Sequence, residues 1–268
     1  MSAGVGDGVV NALLRDYGVH PYRKWQGAFW RLASLVDLGV DPQRPGISDA
    51  AEQSLAWLSS PSRLARIHER RIEGRVRRCA SQDGLGLYLC LLVGMCGDGR
   101  LERLAESLVE TQWPDGGWNC DVRPAASHSS ANETWGPILG LNEYGADEAA
   151  ARGIEFLLTH RVVFSHRTGG PMHPHIVELH YPPYWHYDLL VGLRTLVRAD
   201  ALDDSRTTDA LDLLESKRRP DGTWQTEGRW WKRPGSQGSN VEAVDWGTAA
   251  NELLTERVRG VLTAAGRA

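Results

Sequence analysis

Two cysteines and two histidines are the candidate metal ligands of this sequence: Cys79, Cys120, His128 and His186. Thiolate and imidazole are the side chains that zinc prefers, and three or four of them complete a tetrahedral site. The four residues are far apart and form no CxxC or HExxH pattern. Only a fold that brings their segments together can build such a site. The alternative is that they are ordinary packing and capping residues.

Two acidic residues are the candidate catalytic bases. Asp121 lies next to the second candidate cysteine, and Glu133 lies at the expected start of a helix. A carboxylate beside a metal-bound nucleophile can accept its proton, which is the role we predict for Asp121 or Glu133. Glu242 and Asp245 precede the last expected helix, where acidic side chains commonly interact with the helix dipole.

One dense run of basic residues precedes the first candidate cysteine; it consists of Arg70, Arg71, Arg75, Arg77 and Arg78. Such a cluster can hold a diphosphate or another anionic head group. A solvated helical face is the interpretation that we favour.

A segment rich in histidine, proline and glycine covers residues 161–183 and predicts a long loop. Loops of this length often act as lids or binding loops. His173 and His175 flank a proline and could approach a metal, but we favour scattered surface imidazoles.

Apolar residues recur with helical spacing almost throughout, and no segment alternates like a strand. The stretch from Leu85 to Met95 is apolar on all sides, which predicts a buried helix with Cys90 and Cys96 inside it. Other stretches have one apolar face. Buried and amphipathic helices therefore alternate, with a buried helix about every 50 to 60 residues, a period that indicates helical-hairpin repeats. The expected starts of the buried helices are Lys24, Gly84, Asn132, Tyr184 and Asp245.

A short motif also repeats. The sequence QWPDGGW at 112–118 matches RRPDGTW at 218–224 in the pattern Pro-Asp-Gly-x-Trp. Proline and glycine end a helix and turn the chain, and the tryptophan is then expected to pack against the helix ends. The motif explains part of the high tryptophan content, which is 11 against 3 phenylalanines.

QWPDGGW resembles the QW-type repeat of terpenoid cyclases and protein prenyltransferases, whose fold is an α/α toroid. Three further regions resemble a group of bacterial proteins often labelled squalene-cyclase-like or prenyltransferase-like; they are RCASQDG at 78–84, GWNC at 117–120 with SHSS at 127–130, and PYWHYD at 183–188. The resemblance covers about residues 20–265. It implies a single domain, residues 1–268, forming an all-α toroid of about five hairpins.

The resemblance also implies where a site would lie. In a toroid the loops that lead into the inner helices gather at one rim, so Cys79, Cys120, His128 and His186 would converge. Protein prenyltransferases bind zinc at this rim with Asp, Cys and His, and the segment after His186 resembles the one that carries their histidine. Their paired Asp and Cys would fall at 129–133, where this chain has no cysteine. The DxDD and DDxxD motifs of terpenoid cyclases are also missing from the sequence.

Aromatic residues near the expected helix starts are candidates for binding an apolar substrate. We predict this role for Trp118, Trp135, Tyr184 and Trp185, whose rings would line the central cavity and could stabilise a cation. The alternative is that the rings only fill the core.

Composition limits the remaining choices. A net charge of -4 and a pI near 6.1 argue against nucleic-acid binding. No apolar run reaches the roughly 18 residues of a transmembrane helix, and no signal peptide is recognised. Four irregularly spaced cysteines do not suggest a secreted disulfide framework. We therefore expect a cytoplasmic protein without a nucleotide cofactor.

These observations lead to three hypotheses. The favoured one is an enzyme that acts on an apolar, isoprenoid-like or lipidic substrate in the cavity, with zinc at the rim. The second is a metal-free terpenoid cyclase or isomerase that uses a single acid such as Asp121 or Asp245. The third is a toroid without catalytic activity that binds a ligand or a partner protein.

Overall fold

The computed structural model describes residues 6–267, except for the side chains of residues 68 and 69; residues 1–5 and 268 of the predicted domain lie outside this range. The described residues form eleven α-helices and one two-stranded hairpin, which confirms the all-α prediction. The helices are α1 (Asp7–Leu14), α2 (Ala28–Asp37), α3 (Ile47–Leu58), α4 (Pro61–Glu69), α5 (Ala80–Leu92), α6 (Gly99–Glu110), α7 (Ala131–Tyr144), α8 (Asp147–Thr159), α9 (Leu189–Arg198), α10 (Thr208–Ser216) and α11 (Ala249–Ala264). The hairpin strands are β1 (Arg71–Ile72) and β2 (Arg75–Val76).

Buried and amphipathic helices alternate as the sequence pattern predicts. Almost every residue of α5 is buried, whereas α6 buries one face with Leu101, Leu104, Ala105 and Leu108. The helix pairs α5–α6, α7–α8 and α9–α10 pack together, and α2, α5, α7, α9 and α11 each contact the next in that order. No helix within residues 6–267 is long and apolar enough to cross a membrane.

Helices α5 and α7 pack more extensively than any other pair described. Glycine allows this closeness: a Cβ atom at Gly84 would lie 2.1 Å from the backbone nitrogen of Pro137, and one at Gly140 would lie 2.4 Å from the carbonyl oxygen of Gly84. Such distances exclude any side chain. The two helices are therefore in close contact, and Ser81 in the first turn of α5 donates hydrogen bonds to Glu133 in the first turn of α7.

The two Pro-Asp-Gly-x-Trp motifs form the same turn. The indole of Trp118 donates a hydrogen bond to the carbonyl of Leu108 (3.0 Å), and the indole of Trp224 donates to that of Leu214 (2.9 Å). Their backbone nitrogens donate to threonine hydroxyls in the following helices, those of Thr134 and Thr255 respectively. The predicted packing of the tryptophan against helix ends is confirmed at both turns.

Two local predictions are wrong. Helix α5 ends at Leu92, so Cys96 lies beyond it and is exposed, although Cys90 is buried as predicted. The arginine run is not a solvated helical face, because it forms the β1–β2 hairpin and then enters the core, where Arg77 and Arg78 are buried.

Between α8 and α9 the chain contains no α-helix, only a 3-10 turn at Pro174–Val177. The side chains of His173 and His175 are exposed there. His180, by contrast, is buried, and its Nδ1 lies 3.2 Å from a carboxylate oxygen of Asp188, the residue that caps α9. The six histidines of 160–186 therefore do not share one environment.

Candidate metal centre and cavity

Three potential metal ligands meet at the N-terminal ends of α5 and α7. The ligand atoms of Cys79, Cys120 and Glu133 all lie within 4.8 Å of one another. Cys79 precedes the first residue of α5, and Glu133 lies in the first turn of α7. Cys120 follows the first Pro-Asp-Gly-x-Trp turn by two residues. The close packing of α5 against α7 and the path of this turn bring the three residues together.

Hydrogen bonds hold the group in place. Glu133 is buried, and its Oε2 accepts bonds from the backbone nitrogen (3.0 Å) and the hydroxyl (2.9 Å) of Ser81. The backbone nitrogen of Arg78, next to Cys79, donates to the carbonyl of Asn119, next to Cys120 (3.1 Å). Outer hydrogen bonds of this kind orient metal ligands in many proteins.

The two thiols interact with each other. A hydrogen bond from Cys120 lowers the pKa of the Cys79 thiol, although burial opposes this. The same hydrogen bond, together with burial and the nearby Glu133, raises the pKa of Cys120. Burial also raises the pKa of Glu133. Three groups that each carry a negative charge when deprotonated are thus crowded together, an arrangement that a bound cation would stabilise.

Positive charge lies close to this group. Asp83 in α5 is buried between two arginines: Arg63 approaches it to 2.5 Å, and Arg78 also pairs with it. Burial opposes ionisation of Asp83, but the two arginines outweigh it and lower its pKa. At Cys79 itself the charges oppose one another: Glu133 and Asp83 raise the pKa of the thiol, and Arg63 lowers it.

Of the four predicted ligands, the structure brings only the two cysteines together. The side chain of His128 is exposed, and His186 is stacked between two tryptophans; neither belongs to the group of ligand atoms found in the described residues. Glu133, predicted as a base, supplies the third potential ligand atom instead. One signal pointed to this position: by the resemblance, the paired Asp and Cys of protein prenyltransferases would fall at 129–133, a range that includes Glu133.

The other acidic candidates lie apart from this group. Asp121 is paired with Arg123 on the surface, and these hydrogen bonds lower its pKa to about 2. Asp245 is exposed and lies 3.2 Å from Arg233. Glu242 is buried, and its Oε2 has no hydrogen-bond partner within residues 6–267. Burial raises the pKa of Glu242 to about 8, which favours the protonated form of this carboxyl at neutral pH.

His186, which was predicted to bind a metal, lies instead in a column of stacked rings. His186 stacks on Trp185 (ring centroids 4.0 Å apart) and on Trp230 (3.9 Å), and Trp230 stacks on His180 (4.6 Å). Burial lowers the pKa of His186 to about 4, so the ring is neutral at neutral pH. The imidazole therefore packs as an aromatic ring.

A cavity of about 140 Å³ lies between α2, α5, α7 and α9. Of the four predicted substrate-binding aromatics, Trp135 and Tyr184 line it, whereas Trp118 and Trp185 do not. Neither do the three residues of the metal group. Rings connect the two regions: Tyr22, whose pKa is raised by burial and by the nearby Cys79 and Glu133, lies 4.9 Å from Trp30, which lies 5.7 Å from Tyr184.

Comparison with known proteins identifies no relative. No protein-family model matches the chain, and neither a curated protein nor a solved structure matches it significantly. The functional assignment therefore depends on the residues and their geometry.

Proposed function

We propose that this chain is a zinc-dependent enzyme with an α/α-toroid fold, acting on a small apolar, isoprenoid-like or lipidic molecule. The observation that carries the proposal is the convergence of Cys79, Cys120 and Glu133 within 4.8 Å. The three come from separate segments, and nothing in local helix or turn geometry requires two thiols and a carboxylate to meet.

The toroid is supported by the order of helix contacts. Helices α2, α5, α7, α9 and α11 contact one another in sequence. A bond from the last to the first closes the series: Nη2 of Arg257 in α11 donates to the carbonyl oxygen of Asp37 at the end of α2 (2.5 Å). Five inner helices arranged this way, with α3, α6, α8 and α10 outside them, would enclose the cavity.

The chemistry of the donor set suits zinc. Thiolates and carboxylates are common zinc ligands, and a site with three protein ligands leaves a fourth position for water or substrate, as in catalytic zinc sites. A zinc ion held there would lower the pKa of a bound water or polarise a substrate oxygen. Glu133 has one oxygen fixed by Ser81, which leaves the other to bind the metal.

Neighbouring side chains would complete the site. The hydroxyl of Tyr22 stays protonated because burial raises its pKa, and it interacts with the side chain of Gln82. It can therefore donate a hydrogen bond to a substrate oxygen near Cys79. The rings of Tyr22, Trp30 and Tyr184 form an apolar connection towards the cavity, where the apolar part of the substrate would bind.

One observation favours a second candidate, a ligand-binding toroid in which the metal is structural. The cavity wall includes none of the three metal ligands. In that case the ligand and the metal would bind independently, and the fourth coordination position would be closed by a protein group.

Metal content and a cobalt spectrum test the proposal. We expect about one zinc per chain in the wild type purified with zinc, and almost none in Cys120→Ala. Thr226→Ala changes the equivalent position after the second Pro-Asp-Gly-x-Trp turn and should keep the metal. Absence of zinc from the wild type would overturn the proposal.

Cobalt substitution then separates the two candidates. If the fourth position is open, azide added to the cobalt form will shift its visible bands, because a new ligand enters the coordination sphere. A spectrum that azide leaves unchanged would instead support the structural metal of the second candidate.

A further inference from the structure

The central cavity has an apolar interior and a charged opening. Leucine, valine and tryptophan side chains of α5, α7 and α9 form the interior; they are Leu85, Leu89, Trp135, Leu139 and Val191. Charged side chains lie at the C-terminal ends of two helices: Asp37 ends α2, and Arg194 and Arg198 lie in the last turns of α9. A cavity of this kind is suited to a molecule with one apolar and one charged end.

The single carboxylate in the cavity wall is fully engaged by the protein. Asp37 accepts hydrogen bonds from the hydroxyl of Tyr181 (2.9 Å) and from Arg194 (2.5 Å), and Arg257 pairs with it as well. Although burial opposes its ionisation, the two arginines lower its pKa to about 2. Asp37 thus has its cationic partners already and is a poor acceptor for a further cation.

The guanidinium of Arg198, unlike that of Arg194, is not paired with a carboxylate within residues 6–267. Arg198 lies four residues after Arg194, so both side chains project from the same face of α9. Its side chain is exposed, and no hydrogen bond or ion pair of its guanidinium is found in the described part of the chain. The carboxylate of Glu143 lies near enough to affect Tyr88, as Arg198 does, but makes no ion pair with Arg198 in residues 6–267.

We propose that this cavity binds a small amphiphile with one anionic group, with its apolar body between α2, α5, α7 and α9 and its anion on Arg198 and Arg194. The inference rests on the proposed function, because it gives the substrate a chemical class. The cavity volume of about 140 Å³ limits the apolar body. A dry cavity of about 150 Å³ holds a benzene molecule, so roughly six to eight carbon atoms fit before the ligand reaches the opening.

Three eight-carbon probes that differ only in the charge of the head group test this inference: octanoate, 1-octanol and octylammonium. Isothermal titration calorimetry on the zinc-loaded chain of 268 residues gives each affinity. We expect octanoate to bind at least about tenfold more tightly than octanol, since a charge-assisted contact with arginine is added. Octylammonium should bind more weakly than either.

Three variants locate the binding site. Arg198→Gln should bring octanoate to within about threefold of octanol without changing octanol binding, because the remaining Arg194 is already paired with Asp37. Arg103→Gln removes an exposed arginine of α6, away from the cavity, and should change nothing. Ala33→Phe, in the part of α2 that lines the cavity, should weaken both octanoate and octanol at least about tenfold by occupying the apolar space.

The results separate this inference from the proposed function. Equal affinity for the three probes, tighter binding of octylammonium, or no binding of octanoate would overturn the inference. Zinc content measured on the same samples reports independently on the metal site. A protein that holds zinc but ignores octanoate would retain the proposed metal function and lose this substrate class.

Discussion

The two Pro-Asp-Gly-x-Trp turns have the same hydrogen bonds but lead to different chemistry. The indoles of Trp118 and Trp224 donate to carbonyls ten residues before them, and each backbone nitrogen donates to a threonine hydroxyl of the following α-helix. Two residues after Trp118 the chain carries Cys120, whereas the second turn carries Thr226 at this position. The repeated turn builds the fold, and single side chains placed around one copy build the candidate metal site.

The buried carboxyl groups that follow the two turns also differ, in this case in their hydrogen bonds. Glu133 comes after the first turn and receives two hydrogen bonds from Ser81. Glu242 comes after the second turn; its Oε1 accepts a bond from the backbone nitrogen of Ala243, but Oε2 has no partner in the described structure. One carboxyl is held by two hydrogen bonds, and burial raises the pKa of the other to about 8.

Removal of either tryptophan should cause the largest loss of stability. Trp118 and Trp224 are both almost completely buried, and truncating a buried tryptophan to alanine usually costs about 3–5 kcal/mol. We expect Trp118→Ala and Trp224→Ala to lower the free energy of unfolding in urea by similar amounts. If the two turns are equivalent only in fold, zinc content should fall in Trp118→Ala alone. A loss of zinc in both variants would contradict this separation.

The two turn glycines should respond differently to alanine. Both have a positive φ, 93° at Gly116 and 77° at Gly222, which costs a non-glycine residue about 1–2 kcal/mol. A Cβ at Gly116 would also lie 2.2 Å from the backbone carbonyl of Arg152, whereas at Gly222 the nearest atom is a side-chain nitrogen at 3.4 Å. Urea unfolding should show a loss of about 3 kcal/mol for Gly116→Ala and about 1 kcal/mol for Gly222→Ala. Equal losses of stability in the two variants would contradict the tighter packing around Gly116.

We expect a smaller, pH-dependent gain in stability when Glu242 is replaced by glutamine. Its pKa is about 8 in the folded chain, above the ordinary 4.5. As the pH rises from 4.5 to 8, the unfolded chain loses this proton while the folded chain keeps it, so stability falls. Glu242→Gln removes the effect, and we expect it to be about 2 kcal/mol more stable than the wild type at pH 8, after the cost of the buried amide.

Thermal unfolding at the two ends of this pH range measures the effect. At pH 4.5 the advantage of Glu242→Gln should disappear. The same difference between the variant and the wild type at both pH values would show that Glu242 ionises normally in the folded chain.

Local features of the chain were predictable because they depend on neighbouring residues. Apolar spacing identified the alternation of buried and one-sided helices, and the repeated motif identified both turns. Sequence patterns failed where a helix ends earlier than its apolar run: α5 ends at Leu92, so Cys96 is exposed. They also failed at the arginine run, where a hairpin leads Arg77 and Arg78 into the core.

The composition of the site was decided only in three dimensions. The sequence singled out Cys79 and Cys120 by residue type, but it could not tell that Glu133 would join them or that His186 would not. Glycines at the α5–α7 contact let the two helices approach closely enough for Glu133 to reach the cysteines. The ring of His186 is instead stacked between Trp185 and Trp230, and this stacking buries it. Residue types and periodicity determine which groups and elements exist; distances between them depend on tertiary packing, which sums many contacts between residues far apart in the chain.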